Sequence, residues 1–463
     1  MKPILTSTDW KDLADLLDSK VLVKRGYRHA LVKILLCRVH EALFEFGNGR
    51  RDPWFTFLKQ LWRQLIGQKS RLDQELTGLP PGSRSRPGMR NALTPGIGHY
   101  GLFRAEIGIG KAARSLAGAI RTAGIPLTLH NISLEQFEST VDFDAQEQLV
   151  SPHDTILLHF NADTFLDLFD RFPLSALFRR RRIGHWVWEL PVFPVQWGAA
   201  LAKVHEVWTP SRFVAETVAN ATNKMVRVIP YCVTVKDCPQ SEARDHLNLP
   251  REAFIFLTIF DSNSFPVRKN PLGAIRAFTD AFPNNGVSAP ILVIKCHGRG
   301  NRGAEFQKIK ELCARNKRLV LIDRVVSENE MTLMRAACDC LISLHRAEGF
   351  GLNIAECMGQ GKIVIATNFS GNTDFTRPGN SLLVPYKMAE VGKQAYIHGA
   401  GQWWAEPDHD AAVSAIQQAH SNRSDIQRLA SRARADIAQQ YSFDAIGNLV
   451  KAAWQDELEP FRT

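Results

Sequence analysis

The amino-acid sequence predicts an α/β fold with two Rossmann-like domains facing a cleft, preceded by a helical N-terminal extension. Three observations carry this. Short apolar runs alternate with helix-like stretches, which implies parallel sheets covered by helices on both faces. The alternation comes in two blocks, 92–240 and 250–430. Residues 1–78 show no strand alternation and read as helical, and the Pro-, Gly- and Ser-rich run PPGSRSRPGMRN (80–91) has the composition of a linker. The expected limits are therefore 1–90 for the extension and linker, 91–245 and 246–430 for the two domains, and 431–463 for a C-terminal helix returning to the first domain.

The elements follow in order. Asp52 and Pro53 suit the cap and first turn of a helix, after which apolar residues recur at 54, 55, 57, 58, 61, 62, 65 and 66 until Gly67. In the first domain Ala112–Ala123 reads as a helix. Strands are expected at Pro126–His130, Thr155–His159, Ile183–Trp188, Val207–Pro210 and Met225–Pro230. The second domain is expected to have strands at Phe254–Ile259, Ile291–Lys295, Leu319–Ile322, Cys340–Leu344 and Ile363–Ala366, each followed by a helix. Ile426 to Trp454 is helical again.

Composition excludes several classes. With 45% hydrophobic and 22% charged residues over 463 positions, the chain can bury cores and is not intrinsically disordered. No apolar run approaches the roughly 18 residues of a membrane span, and the opening MKPILTSTDWKD lacks signal-peptide character. Eight cysteines, Cys37, Cys232, Cys238, Cys296, Cys313, Cys338, Cys340 and Cys357, form no CxxC pair. They read as reduced thiols of a cytoplasmic protein, with no metal site expected. Residues 1–90 hold 17 Lys and Arg against 9 Asp and Glu, while the remaining residues hold 40 against 38. A basic piece in front of a near-neutral body argues against a nucleic-acid binder.

The chemistry concentrates in His345-Arg-Ala-Glu348-Gly349-Phe350-Gly351-Leu352-Asn353-Ile-Ala-Glu356. It follows the apolar strand CLISL, so it lies at the carboxyl end of a parallel strand, where open α/β sheets bind ligands. Gly349 and Gly351 allow a tight turn, and a helix starting near Leu352 would aim its free N–H groups at a phosphate. Glu348 and Glu356 can accept hydrogen bonds from sugar and ribose hydroxyls. Taken singly, each glutamate is more simply a solvated charge.

Together these residues resemble the signature of glycosyltransferase family 4, retaining enzymes of the GT-B fold that use nucleotide-sugar donors. GKIVIATNFSGNTDFTRPGNSLLVPY, FDSNSFPVRKNPLGAIRAF, IGHWVWELPVFP and VWTPSRFVAETV also resemble that family. The likeness spans roughly residues 95–440. It implies that Glu348 contacts the transferred sugar, Glu356 the ribose, and Lys269 the diphosphate. The arginine that much of the family carries five residues before that lysine is replaced by Ser264. Arg268 is a candidate for the missing charge, although its side chain is expected to point elsewhere. Gly108 and Gly110 resemble the glycine loop beneath the donor phosphates. Backbone groups near Arg324 and Val325 are candidates for holding the base. His185 in GHWVWELP is a candidate beside the reacting sugar, with Glu189 facing the same cleft; His159 is a weaker competitor, expected to pack. No cofactor or metal is implied. The expected partners are a nucleotide sugar and a glycan or lipid-linked acceptor, as in the building of a bacterial surface polysaccharide.

Two rival readings exist. Gly298-Arg-Gly-Asn-Arg-Gly303, with Asp323 about 20 residues further on, is a literal dinucleotide pattern that would suit an NAD-dependent oxidoreductase. Gly96–Gly101 is a second literal match, without an acidic residue ending the next strand. The other rival is a non-catalytic binding relative, against which both glutamates and Lys269 speak. Finally, Trp54, Phe55, Phe57 and Trp62 with Lys59 and Arg63 suit a helix lying on anionic lipid, packing against the body being the plainer account. The run Arg179–Arg182 reads as a solvated turn or as a contact for an acidic acceptor.

Overall fold

A computed structural model describes residues 93–456, apart from 135–136, 138–139, 170, 173, 178–179, 263–264, 284–288 and 298–302. The expected helical extension, its lipid-facing stripe and most of the Gly298–Gly303 pattern lie outside the described residues. Two compact units can be separated. One comprises 1–94, 149–152 and 166–180; its described residues include the short helix Leu174–Leu177. The other holds everything discussed below.

This unit contains two parallel six-stranded sheets. The first is ordered β2-β1-β3-β4-β5-β6, from β1 (Thr94–Gly101), β2 (Leu127–Asn131), β3 (His153–His159), β4 (Arg181–His185), β5 (Glu206–Thr209) and β6 (Met225–Val228). Helix α1 (Gly108–Thr122) follows β1, and α2 (Arg212–Ala219) follows β5, capped by Ser211. The second sheet is ordered β12-β11-β10-β7-β8-β9, from β7 (Ile255–Asp261), β8 (Ile291–His297), β9 (Leu319–Asp323), β10 (Cys340–Ser343), β11 (Ile363–Thr367) and β12 (Leu382–Val384). Its helices include α3 (Pro271–Ala281), α4 (Glu328–Ala337) and α5 (Leu352–Gly359). Strand order reverses between β7 and β10, the switch point outside whose carboxyl ends such sheets bind ligands. Residues 266–269 follow β7 and residues 345–351 follow β10, so topology alone brings them together.

Every strand expected from the sequence is present, shifted by a few residues at most at either end. Four strands were not expected. β1 takes up Gly96 to Gly101, so the second dinucleotide-like pattern is an extended strand interior rather than a phosphate-binding turn. β12 is only three residues long. After it, an antiparallel hairpin of β13 (Tyr386–Glu390) and β14 (Trp403–Pro407) is inserted.

The chain ends in α6 (Arg423–Gln440) and α7 (Phe443–Gln455). α7 packs on α1 of the first half, and Trp454 Nε1 donates to Thr155 Oγ1 on β3 at 3.2 Å. Where the chain passes back between the halves, Val233 N donates to Tyr441 O at 2.9 Å, so the two connections run side by side. The apolar core is continuous here: Phe350 lies between Tyr231, Phe375 and Tyr441 at ring separations of 5.2, 5.2 and 5.8 Å.

The α1–α7 contact depends on glycine. A Cβ on Gly447 would lie 2.7 Å from the Ala119 carbonyl oxygen, a backbone atom that cannot swing away. Gly447→Ala would ordinarily favour a helix by about 0.5–1 kcal/mol; here overpacking should outweigh that, with a net loss of about 1–2 kcal/mol. Thermal melting should show a lower midpoint, and an unchanged or raised one would contradict this packing.

Candidate active site

The segment from β10 into α5 is the centre of the site. Gly351 adopts φ +92° as the cap of α5, a conformation that a side chain strains. A Cβ on Gly349 would strike Val187 at 2.1 Å, and Gly349 O accepts from Ser211 Oγ at 2.6 Å. The glycine pair thus permits both the turn and close approach to the first half. Phe350 turns its ring into the core, so only its backbone is left to a ligand. Leu352 is the first residue of α5. His345, which the sequence reading did not single out, braces the loop. It is buried, its Nδ1 lies 3.0 Å from Ser343 Oγ and its Nε2 lies 2.9 Å from Asn372 Oδ1. The Glu348 amide donates to Ser370 Oγ at 2.8 Å.

Glu348 is buried, and its carboxylate meets two cations: Lys269 Nζ on Oε1, and Arg268 Nη1 3.4 Å from Oε2. Both cations follow β7, in the turn Pro266–Lys269. Arg268 therefore does not point elsewhere, as the sequence suggested. Phe265 and Asn270, on either side of the turn, have φ +52°, and this left-handed backbone closes the turn tightly enough to bring both cations to one carboxylate. Arg268 also donates to Ala347 O at 2.7 Å, and its Nη2 lies 3.6 Å from Glu189 Oε1 of the first half. Glu189 in turn accepts from Tyr396 OH at 2.6 Å. Ser264, the position of the missing arginine, lies outside the described residues.

Burial opposes the charge on Glu348, but Lys269 and Arg268 outweigh it and hold its pKa at about 2. Burial likewise opposes the charge on Arg268, yet Glu189 and the other surrounding groups raise its pKa. Lys269 is shifted down: burial dominates, and Arg268 beside it offsets part of what Glu348 contributes.

Glu356, one turn into α5, is buried in a second cluster. Lys111 pairs with Oε1, and Arg335 Nη1 lies 3.0 Å from Oε2. Glu328 completes it, 2.7 Å from Lys111 and 3.0 Å from Arg335. Lys111 belongs to the first turn of α1, beside Gly108 and Gly110. Gly110 is obligatory, since a Cβ there would lie 2.5 Å from Ala105 O; Gly108 has open space around it. Each carboxylate thus sits in a set that includes one first-half side chain: Glu189, which pairs with Arg268, and Lys111, which pairs with Glu356. Beside Glu348 a small cavity is lined by Ile259, Lys269, Ser343, Gly351, Asn353 and Ile354.

The remaining candidates lie further out. Arg324 and Val325 follow β9; the Arg324 side chain pairs with Glu330, while its carbonyl accepts from buried Lys295 at 2.7 Å. His185 is 1% exposed, stacked between His159 and Tyr231 with ring centroids 4.2 and 5.5 Å away, its Nε2 3.2 Å from Ile229 O. Burial lowers its pKa to about 4. Tyr231 on one side of it packs in turn on Phe350. His159 is enclosed between His99 and His185. The sequence reading missed Lys111, Arg335, Glu328 and Tyr396. Lys111 directly follows the glycine loop, which is the signal that could have found it.

Comparisons with known proteins bear on the fold that carries these residues. Residues 241–436 match the family model described as "Glycosyl transferases group 1". The fold is the GT-B fold, and the part of the chain that matches the group 1 glycosyltransferase model is its second half. Among similar solved structures is Anabaena HepE in complex with UDP and glucose, at 15% identity and a TM-score of 0.58, covering 78% of this chain and 99% of that one. Sucrose-phosphate synthase from Thermosynechococcus elongatus is 17% identical (TM-score 0.55; 78% and 98% covered). A glycosyltransferase from Rickettsia africae is 13% identical (TM-score 0.56; 79% and 99% covered). No curated protein matches the chain in sequence. The oxidoreductase alternative finds no support in these comparisons.

The low pKa of Glu348 sets a pH dependence. Its folded value lies below the ordinary carboxylate value near 4.5, so its ion pairs contribute fully above that pH, and the contribution is lost as pH falls toward about 2. Glu348→Gln should be less stable than the parent at pH 6, and the two should converge as pH falls to 2. Parallel stability curves would contradict the pairing.

Proposed function

We propose that this protein is a retaining glycosyltransferase of the family 4 type. It moves a hexose-type sugar, such as mannose, glucose or rhamnose, from a nucleoside-diphosphate donor to a hydroxyl of a glycan or lipid-linked acceptor. The observation that carries this reading is the pair of buried carboxylates on one loop and helix, Glu348 and Glu356, each held by two cations. Carboxylates so placed accept hydrogen bonds from hydroxyls, while neighbouring cations and a helix N-terminus receive phosphate. In this reading Glu348 holds the transferred sugar and Glu356 the ribose. Lys269 and Arg268 stabilise the charge growing on the departing diphosphate. The backbone of Gly349–Leu352 and the Gly108–Gly110 loop line the phosphates, and the backbone at Arg324 and Val325 borders the base. The acceptor hydroxyl forms its bond to the anomeric carbon on the face from which the phosphate oxygen departs, and that oxygen takes the acceptor's proton. No cofactor or metal has a role in this reading. His185 enters it as packing behind Phe350.

HepE in complex with UDP-glucose makes that donor the first to test. In a thermal-shift panel of UDP-glucose, GDP-mannose and dTDP-rhamnose, one donor class should stabilise the parent. Lys269→Ala should weaken that donor by about tenfold or more, the size expected for a lost charged contact. Equal shifts in parent and variant would refute the role of Lys269.

Among the described residues no helix is long and apolar enough to cross a membrane. The basic character of residues 1–90 supports peripheral attachment to the inner face of an anionic bilayer, where a lipid-linked acceptor for surface polysaccharide would lie. In co-sedimentation with phosphatidylglycerol vesicles the full chain should pellet, and a version beginning at Asn91 should not. Equal pelleting would remove this part of the reading.

A further inference from the structure

The cluster around Glu356 contains four charges, two of each sign: Lys111 and Arg335 against Glu328 and Glu356. Three of them belong to the second half of the fold, carried by α4 and α5. Lys111 comes from the opposite half, in the first turn of α1. Its ammonium meets Glu356 on one oxygen, and Arg335 meets the other oxygen from its own side. Glu356 is only 4% exposed, so its carboxylate cannot be satisfied by bulk water and takes its orientation from these two cations. A carboxylate has about four acceptor positions. With one on each oxygen engaged, the positions left for a ligand are fixed in direction.

We propose that Lys111 is a donor-positioning residue. From the opposite side of the cleft it holds Glu356 in the rotation that receives the ribose hydroxyls, and it draws the two halves together over the nucleoside. The proposal rests on the reading of Glu356 as the ribose acceptor. Without Lys111 the cluster has a net charge of −1, Glu356 turns toward Arg335, and the ribose loses a fixed partner. An ordinary salt bridge between halves would affect stability, but it would not sense a single hydroxyl of the ligand.

That hydroxyl provides the test. Binding of UDP, GDP, ADP and CDP, and of their 2′-deoxy counterparts, is measured by titration calorimetry on the full chain. The parent should bind one of them and prefer it to the deoxy form by about tenfold, the worth of a hydrogen bond to a charged group. Glu356→Gln should lose that preference. Lys111→Met should also lose most of it, and Lys111→Arg should keep it. If Lys111→Met is unfolded at the assay temperature, Glu328→Gln removes the second anchor of the lysine without touching Glu356 and should weaken the same preference. Should Lys111→Met, or in its place Glu328→Gln, keep the preference while Glu356→Gln loses it, Lys111 is a contact between halves and nothing more. A parent that binds no nucleoside diphosphate, or shows no preference, or a Glu356→Gln variant that retains it, overturns the reading of Glu356 itself.

Discussion

The site depends on neutralising two buried carboxylates. Glu348 and Glu356 are carried by one loop and the helix that follows, and each is buried against two close cations. Removing one partner of a buried ion pair costs about 3–5 kcal/mol, because the other charge is left uncompensated. Each carboxylate therefore sits in a four-membered set: Lys269, Arg268 and Glu189 around Glu348, and Lys111, Arg335 and Glu328 around Glu356. Each set draws one member from the first half of the fold, Glu189 in one and Lys111 in the other. The electrostatics of the cleft and the approach of the two halves are thus a single problem with a single solution.

The backbone is shaped around that requirement. Left-handed residues without the excuse of glycine occur at Phe265 and Asn270, flanking the two cations, and at Ser370, whose hydroxyl receives the Glu348 amide. Such conformations persist only where the surroundings over-determine them. Here the surroundings are the capped start of α3, where the Asn270 side chain accepts from Gly273 N at 3.1 Å, and the Asn372–His345 pair beneath the loop. The inserted hairpin adds a further brace, since Ala405 N donates to Arg346 O and Glu406 pairs with the Arg346 guanidinium.

Much of this was legible in the sequence. Alternating apolar runs gave the two parallel sheets, because fully buried strands are uninterrupted in hydrophobicity. The apolar strand CLISL followed by Gly349 and Gly351 located the loop and helix, since the glycines allow a tight turn at a strand's carboxyl end. β1 was not legible: TPGIGHYG is rich in glycine, and only its parallel pairing with β2 makes it a strand, with His153 and the Pro126 carbonyl leaving no room for a side chain at Gly96. Arg268 was misjudged because adjacent side chains usually diverge, an expectation that the tight turn between Phe265 and Asn270 defeats. Glu328 and Arg335 were invisible for a different reason: their meaning arises only when they meet Lys111, more than 200 residues away in the chain.

The paired connections at Val233 and Tyr441 bear on how a ligand could enter and leave. Both passages of the chain between the halves lie side by side, joined by one backbone hydrogen bond. Two bodies tethered at a single edge can swing apart like the covers of a book, with that edge as the spine. The bonds from Tyr396 to Glu189 and from Val192 to Gln402 are further ties between the covers. Opening about the spine would part such ties while the paired connections hold.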